Sequence, residues 1–92
     1  MLGGKVKLRC FEYKIKDEIG IHARPAGLLV KLVKETKSVV TIEKNGNTVD
    51  ATKLFSVMGL GVKCGDTVKI CVQDGDEEKT EKLVKEFFEN NL

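Results

Sequence analysis

Strand-like and helix-like segments alternate along this chain of 92 residues, and their order leaves few folds open to it. Period-two alternation or many β-branched residues predict strands, whereas apolar residues three and four positions apart predict helices. The predicted strands lie within 5–18, 38–44, 47–51 and 67–73; the predicted helices run from about Pro25 to Lys37, over 52–60, and from Asp76 to about Asn90. This order, βαββαβα, favours an α+β fold in which helices cover one face of a four-stranded, mostly antiparallel sheet.

The first strand contains two phases of alternation. Apolar residues recur in one phase from Val6 to Cys10 and in the other from Tyr13 to Ile15. A change of phase within one strand predicts a bulge, here near Phe11.

The two longer helices each show an apolar stripe. The stripes consist of Leu28, Leu29, Leu32 and Val33 on the first helix, and Leu83, Val84, Phe87 and Phe88 on the last. Such stripes predict the faces that pack on the sheet.

Short polar motifs predict the connections between the middle elements. Asn45 and Gly46 form the dipeptide most typical of a two-residue hairpin, because both positions of that turn need a positive φ. Asp50 or Thr52 is expected to cap the short helix that follows.

Composition and charge exclude several classes of protein. Apolar residues make up 41% of the chain and charged residues 33%, which excludes a disordered chain and a membrane protein. The net charge of +2 gives no strongly basic surface for a nucleic acid. No apolar stretch is long enough to span a bilayer, and the first ten residues do not resemble a signal peptide. We therefore expect a single cytoplasmic domain over 1–92, without membrane insertion.

The three cysteines are Cys10, Cys64 and Cys71. Their odd number and wide spacing are not typical of a secreted disulfide scaffold or of a zinc site. We interpret them as reduced thiols and expect no metal.

The single histidine, His22, lies where the first helix is predicted to begin, three residues before Pro25. A lone histidine is more often structural than functional, but this position favours chemistry. The first N–H groups of a helix lack intrahelical partners and carry partial positive charge, so those of Ala23 and Arg24 can bind an anion. With the Arg24 guanidinium beside it, His22 is suited to accept a phosphoryl group and to hold it.

Other catalytic chemistry finds less support in the sequence. No second histidine or evident carboxylate completes a nucleophilic triad with a cysteine. Gly59, Gly61 and Gly65 match neither a dinucleotide-binding motif nor a P-loop, so we interpret them as residues of helix ends and loops. No cofactor is expected.

The segment G-I-H-A-R-P-A at 20–26 resembles the active-site signature of the HPr family, the histidine-containing phosphocarriers of the bacterial phosphoenolpyruvate-dependent sugar phosphotransferase system. The resemblance covers nearly the whole chain, because the hairpin, the segment V-D-A-T-K-L-F-S-V-M-G-L-G at 49–61 and the final helix follow in the same order. It implies an open-faced two-layer β-sandwich, with sheet order 1-4-2-3 and three helices on one face. It also implies a monomeric carrier that is a substrate of phosphotransferases rather than an enzyme.

The resemblance further implies residue roles and partners. His22 would be phosphorylated on Nδ1, with the Arg24 side chain and the N–H groups of Ala23 and Arg24 contacting the phosphoryl group. The implied partners are enzyme I, the donor, and sugar-specific IIA proteins, the acceptors. The docking surface carries over onto Gly27, Lys31 and Lys34 of the first helix, and Leu54, Phe55, Ser56, Met58 and Gly59 of the second.

The sequence of the second helix does not decide which of its apolar residues pack in the core and which lie in an interface. Leu54, Phe55, Val57 and Met58 cannot all face one core from a two-turn helix, so one side is expected to be exposed, as in a partner patch. For any single one of the four, either role is open.

Two features depart from the family pattern. In HPr proteins that answer to HPr kinase/phosphorylase, a serine opens the second helix; the matching position here is Lys53, and Thr52 beside it is out of register. We therefore expect no serine-kinase control, and no co-repressor role, through this site. Met1–Lys5 is interpreted as a short N-terminal addition.

Two other functions stay open. The chain could be an HPr-like regulatory binding module, or a regulatory phosphotransfer paralogue that is not coupled to sugar uptake. A small nucleic-acid-binding domain is disfavoured by the low net charge and by the single tyrosine and absence of tryptophan, which leave few stacking platforms.

Overall fold

Each of the seven predicted elements is present in the computed structural model, which describes residues 8–92. In chain order they are β1 (Leu8–Lys14), α1 (Ala23–Glu35), β2 (Val39–Lys44), β3 (Asn47–Asp50), α2 (Leu54–Gly59), β4 (Thr67–Gln73) and α3 (Glu77–Asn91). The predicted order βαββαβα is therefore confirmed, whereas the N-terminal addition predicted for Met1–Lys5 lies outside the described residues.

The four strands form one antiparallel sheet in the order β1-β4-β2-β3, as the resemblance implied. β4 lies between two partners: Val72 pairs with Arg9 of β1 on one side and with Val40 of β2 on the other. β2 and β3 are joined through Asn45 and Gly46, whose φ angles of 52° and 85° suit a tight hairpin. β1 and β3 are therefore the two edge strands.

β1 is a continuous strand, and the predicted bulge is wrong. Its residues pair one to one with β4 in a single register. Phe11, Tyr13 and Ile15 pack against the core, whereas Leu8 and Cys10 are exposed. The phase that contains Leu8 and Cys10 lies on the other face of the sheet, which no helix covers within residues 8–92, so its apolar residues stay at the surface.

Cys10 and Cys71 form a disulfide, which corrects the expectation of three reduced thiols. They are 61 positions apart in the sequence but lie directly opposite each other in the β1–β4 register, with Cα atoms 4.1 Å apart. Only the pairing of the two strands brings these cysteines together, so their sequence spacing did not reveal the bond. Cys64 remains a free, exposed thiol.

The helices bury faces that are rotated relative to the predicted stripes. The buried residues are Pro25, Ala26, Leu29, Val30 and Val33 on α1, and Thr80, Val84 and Phe88 on α3. Leu28 and Leu83 are exposed instead, because the first turn of α1 and Thr80 of α3 face the core and set the rotation of each helix. One face of β4, formed by Val68, Ile70 and Val72, is fully buried beneath them.

α2 begins later than predicted and is capped differently. It spans Leu54–Gly59 with Lys53 at the N-cap, and this residue makes no side-chain capping hydrogen bond. The Asp50 carboxylate instead accepts hydrogen bonds from the N–H and the hydroxyl of Thr52, at 2.8 and 2.7 Å. These bonds, the one from the N–H first, lower the pKa of Asp50. Asp50 and Thr52 therefore close the turn before the helix rather than cap it.

Candidate functional site

The loop between β1 and α1 carries the histidine and is anchored by main-chain hydrogen bonds. Ile15 N–H donates to the Asp66 carbonyl at 2.8 Å, just before β4. The N–H groups of Lys16 and Asp17 both donate to the main-chain oxygen of Leu92, at 2.6 and 2.8 Å. Two distant parts of the chain, the segment just before β4 and the C-terminal residue, therefore fix the start of this loop.

A glycine brings the far end of the same loop against the segment before β4. Gly20 has a φ of 84°, and the next residue, Ile21, donates its N–H to the Val62 carbonyl at 3.1 Å. A Cβ on Gly20 would collide with the Val62 carbonyl oxygen and the Lys63 main chain. Both the positive φ and the close approach require glycine, and the contact sets where His22 enters the helix.

His22 is the N-cap residue of α1, as the sequence predicted. Its backbone is extended, with φ −125° and ψ −175°, and its carbonyl accepts a hydrogen bond from Ala26 N–H at 2.9 Å. Its side chain makes no capping hydrogen bond, and the first turn holds no acidic residue. The half-buried imidazole therefore does not cap the helix, and it lies beside N–H groups whose partial positive charge favours an anion.

The imidazole opens onto a depression formed by three parts of the chain. It is lined by Asp17, His22, Arg24, Pro25, Leu28 and Asn91. Arg24 is exposed, so its guanidinium is accessible at the rim. The sequence analysis missed Asp17 and Asn91. They reach the depression only because the end of α3 bonds to the loop, and no sequence motif connects the two positions.

The implied docking residues gather mainly along a groove between α1 and α2. The groove is lined by Gly27, Val30, Lys34, Thr52, Lys53, Leu54, Phe55 and Ser56. Lys31, Met58 and Gly59 do not line it, although Lys31 and Gly59 are exposed and Met58 is half-buried. The structure thus brings most of the two predicted helix segments to one surface.

α2 divides its apolar residues between the core and this surface. Val57 is fully buried, and Leu54 and Met58 are half-buried against the core. Phe55 is 83% exposed, the most exposed large apolar side chain among the described residues. The sequence left open whether each of these residues belongs to the core or to an interface. In the structure Val57 belongs to the core, whereas Phe55 lies on the open surface.

The described part of the chain offers no metal site and no membrane segment. Between Leu8 and Leu92, no three histidine, cysteine or acidic side chains are grouped so that they could hold a metal ion. No helix in that range is long and apolar enough to cross a bilayer.

Comparisons with known proteins agree with this fold and motif. The family model for the PTS HPr component phosphorylation site matches residues 10–90. The chain is 37% identical over 76 residues to phosphocarrier protein HPr of Borreliella burgdorferi, covering 83% of this chain and 88% of that protein. It is 30% identical over 78 residues to the HPr-like protein Crh of Halalkalibacterium halodurans, covering 85% and 93%. The solved structure of HPr-C-His from Thermoanaerobacter tengcongensis matches with a TM-score of 0.84 at 33% identity, covering 89% of this chain and 92% of that one. The chain therefore belongs to the HPr family of phosphocarrier proteins of the phosphotransferase system.

Proposed function

We propose that this protein accepts a phosphoryl group on His22 from phospho-enzyme I and passes it to sugar-specific IIA proteins. The start of α1 carries the proposal: an N-cap histidine without a capping bond, Arg24 in the first turn and no acidic residue in that turn. Such a carrier is a substrate of two transfer reactions and needs no cofactor of its own.

The chemistry of acceptance follows from this arrangement. A ring nitrogen of His22, Nδ1 by the family resemblance, attacks the phosphorus, and the bond between phosphorus and the donor breaks as the new N–P bond forms. The N–H groups of Ala23 and Arg24, together with the Arg24 guanidinium, stabilise the charge on the phosphoryl oxygens. Donation to a IIA protein breaks the N–P bond and restores the free imidazole.

We place the partner-docking surface on the faces of α1 and α2 that flank the histidine. It comprises Gly27, Lys31 and Lys34 with Leu54, Phe55, Ser56, Met58 and Gly59. The Phe55 ring has lysines 34 and 53 beside it along the groove, which suits partners that offer an apolar pocket with an acidic rim. We propose that one domain, 1–92, acts as a cytoplasmic monomer on both partners in turn.

Control by a serine kinase at the start of α2 is not part of this proposal. Lys53 occupies the N-cap of α2 and offers no hydroxyl to phosphorylate. The neighbouring Thr52 hydroxyl is bonded to Asp50 at 2.7 Å. We therefore expect that an HPr-directed serine kinase adds no phosphate at this position.

Intact-mass spectrometry tests the proposal directly. The protein is incubated with phosphoenolpyruvate and enzyme I, and its mass is measured before and after brief acid treatment. We expect one added phosphoryl group that acid removes, and none in a His22→Ala variant whose circular dichroism shows that it is folded. Full phosphorylation of that variant would eliminate His22 as the acceptor.

A second candidate is a regulatory HPr-like protein that does not feed sugar uptake. The 30% identity to the HPr-like protein Crh favours it. The phosphorylated protein is mixed with purified IIA proteins, and transfer is measured by loss of the phosphoryl mass. Transfer to a sugar-specific IIA supports the carrier. Phosphorylation without any transfer, alongside an active control HPr, supports the regulatory protein.

A further inference from the structure

The open face of the sheet carries a disulfide that the phosphocarrier chemistry does not use. Cys10 of the edge strand β1 and Cys71 of the inner strand β4 face each other, with their Cα atoms 4.1 Å apart. This separation is typical of a pair without direct backbone hydrogen bonds, where side chains approach closely. Cys10 is exposed and Cys71 is half-buried, whereas the neighbours of Cys71, Ile70 and Val72, are fully buried on the helix side. Reagents in solution can therefore approach the disulfide from the Cys10 side.

The bond joins β1 to β4, the strand with which all seven β1 residues pair. Among the described residues, β1 is an edge strand and has no second strand partner. Beyond the sheet it is held by the ion pair of Arg9 with Glu81, which is 44% exposed on the arginine side, and by Phe11 and Tyr13 against the Phe88 ring. Exposed ion pairs contribute little to stability. Apart from the continuous main chain, the disulfide is therefore the one covalent cross-link between β1 and the rest of the described sheet.

We propose that Cys10 and Cys71 form a reversible redox clamp that fixes the edge strand β1 to β4. Disulfides inside reducing compartments are usually transient, and an exposed one is open to thiol exchange. The co-reactant is a low-molecular-weight thiol. The proposal rests on the cytoplasmic location proposed above and not on phosphoryl transfer itself.

The exchange proceeds in two steps. A thiolate of the small thiol attacks the exposed Cys10 sulfur, which breaks the Cys10–Cys71 bond, forms a mixed disulfide on Cys10 and releases the Cys71 thiolate. A second small thiolate attacks the sulfur of the bound small molecule and releases the Cys10 thiolate. The two protons lost by the small thiols end on the two cysteines. The protein disulfide is thereby reduced by two electrons, and the two small thiols become one oxidised disulfide.

The clamp changes how firmly β1 is held. In the oxidised state the cross-link closes a loop in the unfolded chain between residues that are 61 positions apart, which lowers the conformational entropy of that chain. In the reduced state the strand is held by backbone hydrogen bonds, by packing and by the exposed Arg9–Glu81 ion pair. Because β1 leads directly into the loop that carries His22, β1 detachment would also loosen the start of that loop.

The test uses the full chain with Cys64→Ser, which removes the free exposed thiol and with it a route to exchange between molecules. The protein is equilibrated with oxidised or reduced glutathione, alkylated under denaturing conditions, and its intact mass is measured. We expect no alkylated cysteine after treatment with oxidised glutathione and two after treatment with reduced glutathione. The two forms of the protein should interconvert when the glutathione buffer is exchanged. Two alkylated cysteines under both conditions would overturn the clamp, and so would a covalent dimer as the oxidised product.

Thermal unfolding of the same two samples tests the effect on the strand. We expect the oxidised form to unfold about 10 °C higher than the reduced form, as a cross-link worth a few kcal/mol predicts for a domain of this size. Amide exchange at Phe11 should be at least about tenfold slower in the oxidised form. The Cys64→Ser chain with Cys10→Ser and Cys71→Ser added should show no dependence on glutathione. Equal midpoints for the oxidised and reduced Cys64→Ser chain would refute the clamp even where the triple variant fails to fold.

Discussion

The main chain of Gly20 lies directly against the carbonyl of Val62, with no space for a side chain between them. This contact joins the loop that carries His22 to the segment before β4. We predict that Gly20→Ala destabilises the fold by about 3 kcal/mol, because the left-handed conformation and the backbone collision both oppose a Cβ. Because the loop must shift, phosphoryl acceptance should fall as well. Urea unfolding and the rate of phosphorylation by enzyme I measure the two effects.

Gly61→Ala is the matched control for that substitution. Gly61 also has a positive φ, 66°, but a Cβ there would meet nothing within 4 Å. Gly61→Ala should therefore lose only the stability that a positive φ costs an alanine, about 1–2 kcal/mol. Equal losses in the two variants would mean that the approach to Val62 contributes nothing.

Arg24 should matter for transfer and not for folding. Its side chain is exposed in the first turn of α1, and among the described residues it is in no ion pair. We predict that Arg24→Ala slows phosphoryl acceptance about a hundredfold, the typical effect of losing one donor to a developing negative charge. Arg24→Lys should recover part of the rate, because it keeps the charge and loses the forked donor geometry. Rapid-quench kinetics gives the rates, and an unchanged unfolding midpoint is the control.

Asp66 should stabilise the protein at neutral pH, and this contribution should be lost in acid. Its carboxylate accepts hydrogen bonds from Lys44 Nζ at 2.9 Å and from Lys63 N–H at 2.8 Å, and these bonds, that from Lys44 first, lower its pKa. A lowered pKa in the folded state means that the unfolded state binds the proton more readily. This contribution to stability is therefore complete above the unfolded pKa of about 3.9 and is lost as the pH falls through the folded pKa.

Urea unfolding at pH 7 and at pH 3 measures this dependence in the wild-type chain and in Asp66→Asn. We expect the variant to lose less stability on acidification than the wild type. Some acid sensitivity should remain, because Asp50 also has a lowered pKa. Glu86→Gln, which removes an exposed carboxylate from α3, is the control for net charge. An identical pH dependence in wild type and Asp66→Asn would contradict the assignment.

The two sides of α2 should separate docking from stability. Phe55 is 83% exposed, so Phe55→Ala should change the free energy of unfolding by less than about 0.5 kcal/mol. Because Phe55 is proposed to dock on partners, the Phe55→Ala substitution should raise the KM for transfer from enzyme I about tenfold. Val57 is fully buried, so Val57→Ala should cost about 1–3 kcal/mol of stability and leave that KM unchanged. A Phe55 variant with unaltered KM for both enzyme I and IIA would remove this residue from the docking surface.

Local sequence was sufficient wherever one short segment decides its own conformation. The Asn45-Gly46 turn needs only two residues that accept positive φ, and β4 shows its buried face as plain alternation over Thr67–Gln73. The position of His22 at the start of α1 likewise follows from Pro25, which is tolerated only in the first helical turn. These features depend on neighbours in the chain and so can be predicted from them.

Local patterns gave wrong predictions where packing against a second element determines which face of a helix or strand is buried. The stripe predicted for α1 included Leu28, but the helix is rotated so that Pro25 and Ala26 face the core. Leucine spacing fixes the period of a helix and not which of two adjacent stripes meets the sheet. In the same way, alternation in β1 did not reveal that one face of the sheet is left uncovered by the helices of residues 8–92.

The order of the elements, the hairpin turn and the placement of a lone histidine at a helix start can all be predicted from local patterns in the chain. Three features become visible in the folded chain alone: Cys10 meets Cys71, Asp17 and Asn91 line the depression beside His22, and Val57 is core. All three depend on contacts between residues far apart in the chain. Their formation depends on which strands pair, in which register, and on where α3 ends, and none of these is encoded in the periodicity of a single segment.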